Sequence, residues 1–144
     1  MTTDATAVLL AVNVVHELIR GPTRWTAIDK RPVHGAVQVG VLGLAGDRQC
    51  DTRYHGGPDK ALYAYAVEDA EWWAAELGRE IPPGLFGENL TTRGLDITGA
   101  SIGGSVRCWS RYGHRERRAG TCPGGWGSSA SINGSLAVGE RVFT

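Results

Sequence analysis

Three cysteines, one methionine and no excess charge of either sign are the first things this 144-residue sequence offers. Cys50, Cys108 and Cys122 cannot all pair within one chain, and no two of them are spaced C-x-x-C. That argues against a secreted disulfide framework and a zinc ribbon and leaves at least one thiol free. Fifteen basic residues balance fifteen acidic ones, so the general attraction that drives non-specific binding to nucleic acid or to a membrane surface is missing. Any anion site must be local. Residues 1–7 carry no basic leader-like stretch, and the apolar run that follows is broken by Asn13, His16 and Glu17 before it reaches membrane-spanning length. The expectation is a cytoplasmic protein. No internal repeat stands out at solenoid or propeller periods.

What the sequence does have is glycine, 21 of them spread along the chain, as suits many turns between short strands. Length and composition suit one domain over 1–144, large enough to bury a core without a metal or disulfide staple. Val8 to Val15 is rich in β-branched and aliphatic residues and reads as an opening strand, with Gly21-Pro22 closing the segment after it. From Ala36 to Val41 the valines 37, 39 and 41 alternate with Gln38 and Gly40, which predicts a strand with all three on one buried face. Val67, Ala70, Trp73, Ala74 and Leu77 recur at helical spacing. Glu68 and Asp69 lie near the positive end of that helix, Gly78 is placed to cap it, and Pro82-Pro83 stops the chain from resuming it. Trp72 and Trp73 are expected to pack into the core. From Leu85 onward, frequent glycines predict short strands and tight turns. Strand-rich order with one amphipathic helix favours a mostly β, α+β domain of β-barrel type, with further short helices at its periphery, over a doubly wound sheet.

Chemistry concentrates in the run from Gly46 to Lys60, directly after the valine strand. Gly56 and Gly57, following His55, allow positive φ and close backbone approach, leaving amide N–H groups free to act as an anion nest. Arg53 and Lys60 add mobile positive charge. The combination suits an oxyanion or a phosphate-bearing ligand. The same residues also suit a plain turn, with Asp47 and Asp51 capping local backbone and Lys60 solvated. The spacing is not that of a Walker loop. A second cluster, Gly84 to Thr92, sets Glu88 and Asn89 between apolar Phe86 and Leu90, where both must find hydrogen-bond partners. Asn89 there either braces a loop or contacts a ligand. Cys50 is expected to be a small buried side chain.

The run Asp47 to Lys60, the following Ala61-Leu62-Tyr63-Ala64-Tyr65 and the segment Gly84 to Thr91 together resemble the MOSC domain family, named for the C-terminal domain of molybdenum cofactor sulfurase. The likeness is strongest to its short stand-alone bacterial members, including those that detoxify 6-hydroxylaminopurine. Upstream, Thr26 to Gly35 resembles the family's Thr-x-Ile-x-Lys-x-Pro-Val-x-Gly segment, so the resemblance covers about residues 8–104 and leaves 105–144 atypical.

The resemblance implies a β-barrel core and a role in molybdenum-cofactor chemistry, as an oxidoreductase acting on N-hydroxylated compounds such as hydroxylaminopurines. Lys30, Asp47, Arg53, Gly56, Gly57, Lys60 and Asn89 would then face the molybdopterin, and His55, whose ordinary pKa lies near neutrality, could donate a proton. Its alternatives are a non-catalytic sulfur-carrier or cofactor-binding module served by a separate pyridoxal-phosphate desulfurase, or a degenerate domain with fold but no activity. A small-molecule substrate, a redox partner and a homodimer belong to the same expectation; nucleic acid and membrane do not. In the family a cysteine in a Pro-Arg-x-Pro-Cys segment carries sulfur or ligates molybdenum, since a thiolate is both nucleophile and soft ligand. Cys122 stands at the matching distance from Ile102-Gly103, as catalytic thiol and metal ligand, but Arg118-Ala119-Gly120-Thr121-Cys122 lacks both prolines. Arg107 to about Ser131 also carries the residue bias of a shifted GC-rich reading frame, with little to bury.

Overall fold

The computed structural model describes residues 7–53, 56–57 and 60–99 with their side chains, and the backbone of five further strands between 105 and 143. His55, Cys122 and the side chain of Cys108 therefore lie outside the described residues. The strands, in chain order, are β1 (Ala7–Arg20), β2 (Trp25–Pro32), β3 (Val37–Gly40), β4 (Gly43–Leu44), β5 (Leu62–Ala66), β6 (Leu90–Arg93), β7 (Ser105–Ser110), β8 (Gly113–Thr121), β9 (Ser128–Ser131), β10 (Gly134–Leu136) and β11 (Arg141–Phe143). The helix α1 (Val67–Leu77) joins β5 to β6, which run parallel. Among the described residues it is the one α-helix, and none is long and apolar enough to cross a membrane.

Eight strands form one sheet in the order β11-β7-β8-β9-β5-β6-β1-β2, while β10, β3 and β4 form a smaller one. The larger sheet curls until β11, at one edge, also meets Ala7 and Val8 of β1. The expected architecture, mostly β with one amphipathic helix, is what the chain adopts.

β1 organises the rest. Its first half pairs with β6 and its second half with β2, so one long strand brings segments from three parts of the chain side by side. Leu9, Val12, Leu62, Leu90, Leu95 and Ile97 form the centre of the core around it. The β1–β6 register slips between Leu9 and Ala11, and the β1–β2 register slips between Val15 and Glu17. Such irregularities re-aim side chains and free backbone groups for other partners; the second of them lies beside the site described below.

Two sequence expectations are corrected. Val41 does not share the buried face of β3. The strand ends at Gly40, which pairs with Gly43, and Val41 is the first residue of the two-residue turn between them, 51% exposed. Trp72 is not core: it is 56% exposed, because α1 buries the side that carries Ala70, and a residue two positions on points roughly 200° away around a helix of 3.6 residues per turn. Its ring meets Trp73 edge-on, centroids 4.7 Å apart. Glu68 and Asp69 do more than offset the macrodipole. Glu68 accepts the Gly94 N–H at 2.7 Å and Asp69 accepts the Thr98 hydroxyl at 2.8 Å, tying the helix to the segment after β6.

The helix ends where the sequence says it should. Gly78 takes the left-handed conformation (φ 62°) and donates its N–H to Ala74 O. A Cβ there would have open space around it, so Gly78→Ala pays only the backbone term. Expected is a loss of about 1 kcal/mol in urea denaturation, with no change in the slope of the transition.

Candidate functional site

The site is built where β1, β2, the Gly46–Gln49 turn and the Glu88–Asn89 bend converge. β2 lies antiparallel to β1 with Lys30 opposite Val15. Asp47 reaches across this pair from the turn after β4. Its Oδ1 accepts the Val15 N–H at 2.9 Å, at the point where the β1–β2 ladder slips, and its Oδ2 accepts the Lys30 ammonium at 2.5 Å and the Asn89 amide at 2.7 Å. The two charged side chains are 7% and 4% exposed. Taking both charges out of water is costly, and what offsets it is their mutual attraction together with the further donors on Asp47.

Asn89 is fully engaged. Its side-chain nitrogen donates to Asp47 and to Asn13 O, and its side-chain oxygen accepts the Tyr63 N–H. Its backbone accepts Asn13 N–H and donates to Tyr63 O, both at 2.7 Å. Of the two roles the sequence left open, the geometry displays the bracing one: Asn89 locks β1, β5 and the Asp47 turn together.

The network continues inward. Asn13 donates to the Thr91 hydroxyl at 3.1 Å, and Thr91 donates to Glu88 Oε1 at 3.0 Å. Glu88 also accepts the N–H groups of Gly84 at 2.7 Å and Phe86 at 3.2 Å. It is buried more deeply than its sequence neighbours suggest, and burial pushes its carboxyl above the ordinary carboxylate value against the opposing pull of those donors. Gly84 must be glycine. Its φ is +88°, and a Cβ would sit 2.2 Å from the Lys30 carbonyl oxygen.

The glycine pair behaves as the sequence suggests: Gly56 and Gly57 both have positive φ, 119° and 80°. Among the described residues nothing lies within 4 Å of where a Gly57 side chain would be. Gly56 is packed instead against Gln49, whose Oε1 would be 2.2 Å from an added Cβ. Gln49 also donates to the carbonyls of Lys60 and Ala61, both at 3.4 Å. It therefore holds both flanks of the loop to the turn that carries Asp47.

Lys30, Asp47 and Asn89 are thus brought into one cluster, with Gly56 and Gly57 linked to it through Gln49. Arg53 stands apart as an exposed residue whose N–H is accepted by Asp51 at 3.3 Å. Lys60 donates its backbone N–H to Gly57 O at 3.2 Å, closing the glycine turn. His55 and Cys122 lie outside the described residues, and among these no group of three or more potential metal ligands occurs.

Sequence reading misses Gln49 and Asn13. Gln49 sits unmarked inside the motif. Asn13 carries the one available signal, a carboxamide in the middle of an apolar strand. Cys50 corrects a further expectation: it is exposed, a free thiol beside this turn, because residues 48–51 belong to no strand and Gln49 and Asp51, not Cys50, are the partly buried ones there.

Comparison with known proteins gives this geometry its context. The family model of the MOSC domain matches residues 51–123, just over half of the chain. The chain belongs to the MOSC domain family. This MOSC domain is 42% identical over 82 residues to the uncharacterized protein YflK of Bacillus subtilis (strain 168) and 40% identical over 86 residues to protein YiiM of Escherichia coli (strain K12). Each match covers 57% of the chain but only 37% and 38% of those relatives, so the domain spans well under half the length of the curated proteins it resembles. In fold it is similar to the crystal structure of YiiM from Geobacillus stearothermophilus, with a TM-score of 0.63 at 21% identity over 95% of this chain and 74% of that one. It is also similar to the YuaD protein from Bacillus subtilis, with a TM-score of 0.70 at 13% identity over 99% of this chain and 97% of that one.

Proposed function

We propose that this MOSC domain binds molybdopterin-bound molybdenum and serves the reduction of N-hydroxylated compounds such as hydroxylaminopurines. The observation that supports the reading best is the glycine pair: two successive residues of positive φ, with no described residue within 4 Å of a Gly57 side chain, fastened through Gln49 to the turn that carries the buried Asp47–Lys30 pair. Backbone amides held in that way suit the phosphate oxygens of a pterin cofactor, because rigid donors bind an anion without being ordered at the time of binding. The donor set at the loop therefore fits the anionic part of the group. Lys30 acts through Asp47, whose charge it meets, and Asn89 keeps both in register. Both are positioning residues in this reading. Lys60 and Arg53 supply positive charge at the rim of the loop, His55 holds the proton that the leaving hydroxyl oxygen needs, and Cys122 offers a thiolate to the metal. When bound, the cofactor supplies two-electron transfer.

The test is metal and pterin analysis of protein freshly purified from a host that makes molybdopterin, together with an assay of hydroxylaminopurine reduction using a chemical electron donor. Expected are molybdenum and pterin in equal amounts in the wild type, loss of molybdenum in Cys122→Ala, and reduction only by the loaded protein. Wild-type protein that holds neither molybdenum nor pterin would end the proposal.

A further inference from the structure

A separate cleft lies at the far end of the β1–β2 hairpin. Leu18, Arg24 and Trp25 line it from the hairpin, and Arg48, Gln49, Cys50 and Asp51 line it from the segment after β4. Its volume is ≈ 580 Å³, within the range of roughly 300–1,000 Å³ typical of small-molecule sites. Lys30, Asp47 and Asn89 do not line it; Gln49 does, but its side chain is engaged by the carbonyls of Lys60 and Ala61 on the glycine loop, and the guest argued below does not use it.

The charges of the cleft select its guest. Arg24 is paired with Asp51 at 2.5 Å and is cancelled by it. Arg48 is exposed and has no ion-pair partner among the described residues. Among the residues that line the cleft one guanidinium is left, which matches a monoanion. A phosphate ester, with close to two negative charges, would face Asp51 with one unpaired cation among the residues that line the cleft, Arg20 being held over the Trp25 ring outside that lining. The remaining surface is mostly apolar, with Leu18 and the Trp25 indole on it. Trp25 is 49% exposed, and Arg20 over its ring at 5.6 Å restrains the indole. A planar guest gains by resting on an aromatic side chain that is already held, and a carboxylate gains by meeting a guanidinium in bidentate fashion.

We infer that this cleft is a binding site for a small planar carboxylate, its ring on Trp25 and its carboxylate on Arg48. Cys50 on the cleft wall supplies the readout, since a bound guest shields its thiol from alkylation. The probe is 1-naphthoate at millimolar concentration, with the rate of Cys50 alkylation by neutral iodoacetamide followed by mass spectrometry of the Cys50 peptide. Expected is a saturable, several-fold slowing. In Arg48→Gln the apparent Kd rises about tenfold, as removal of a charged hydrogen-bond partner implies. Trp25→Leu weakens binding of the same probe, and thermal melting confirms that both surface variants are folded. The neutral 1-naphthamide gives no protection, and 1-naphthyl phosphate protects less well than the carboxylate. Protection is unchanged in Cys122→Ala, which by the preceding reading loses its metal, so the two proposals fail independently. No slowing by 1-naphthoate, equal protection by the amide, or a preference for the phosphate ester overturns the inference.

Discussion

Replacing Asp47 by alanine is expected to destabilise the domain by about 3–5 kcal/mol, the cost of breaking a buried ion pair by removing one partner. The loss comes from what is left behind. Lys30 would be left without its counter-ion at a site where its side chain is 7% exposed, and the Val15 N–H and one Asn89 donor would lose their acceptor. Domains of this size are stable by only about 5–15 kcal/mol, so the variant would sit near the edge of folding. The double variant Lys30→Met, Asp47→Ala separates the two contributions. It removes the stranded ammonium but not the orphaned donors, and it should recover part of the loss, not all of it. Urea denaturation of wild type, single and double variants measures this. A double variant as unstable as Asp47→Ala would mean that charge burial is not what makes Asp47 indispensable.

That result would bear on how far the sequence speaks for this site. The helix over Val67–Leu77 and its Gly78 cap are legible residue by residue, because helical periodicity and capping are local and need no knowledge of the rest of the chain. The valine alternation finds β3 for the same reason, and it overreaches at Val41, where a two-residue turn ends the strand. The glycines at 56 and 57 are legible as positions of positive φ. The ion pair of Lys30 with Asp47 is not, although both residues stand in recognisable motifs. Their meeting depends on the register of β1 against β2, and on a slip in that register which exposes the Val15 N–H. Asn13 and Asn89 are 76 residues apart and meet only because β1 pairs with β6 over its first half. Register of this kind is set by packing across the whole sheet. The C-terminal strands make the same point from the other side. Cys108 to Arg118 is polar and Arg-rich and lacks an alternating apolar pattern, yet β7 pairs with β8 from Ser105↔Arg118 to Ser110↔Gly113. Backbone hydrogen bonds carry that ladder, and hydropathy patterns do not report them.

Glu88 offers the second large effect and a sign that runs against the usual behaviour of paired carboxylates. Burial raises its pKa above the ordinary value of 4.5 despite the Gly84, Phe86 and Thr91 donors that favour the charged form. A carboxyl whose folded pKa lies above its unfolded one takes up its proton more readily in the folded state. Keeping it ionised therefore costs stability at all pH values above the folded pKa, and that cost fades as pH falls through the raised value toward 4.5. Glu88→Gln has no such titration, so the stability of the wild type relative to this variant should climb as pH is lowered across that window and level off below it. Glu88→Ala is the harsher change. It strips the acceptor from two backbone N–H groups of the Gly84–Gly87 turn and from Thr91, and about 3 kcal/mol is expected from donors left without a partner. Because that turn packs Gly84 directly on the Lys30 carbonyl, the damage should reach β2, where hydrogen exchange of the β1–β2 ladder would report it. Denaturant midpoints of the three proteins between pH 4 and 8 decide the matter: a wild-type advantage over Glu88→Gln that stays flat with pH would show that the carboxyl keeps an ordinary pKa and that burial does not govern it.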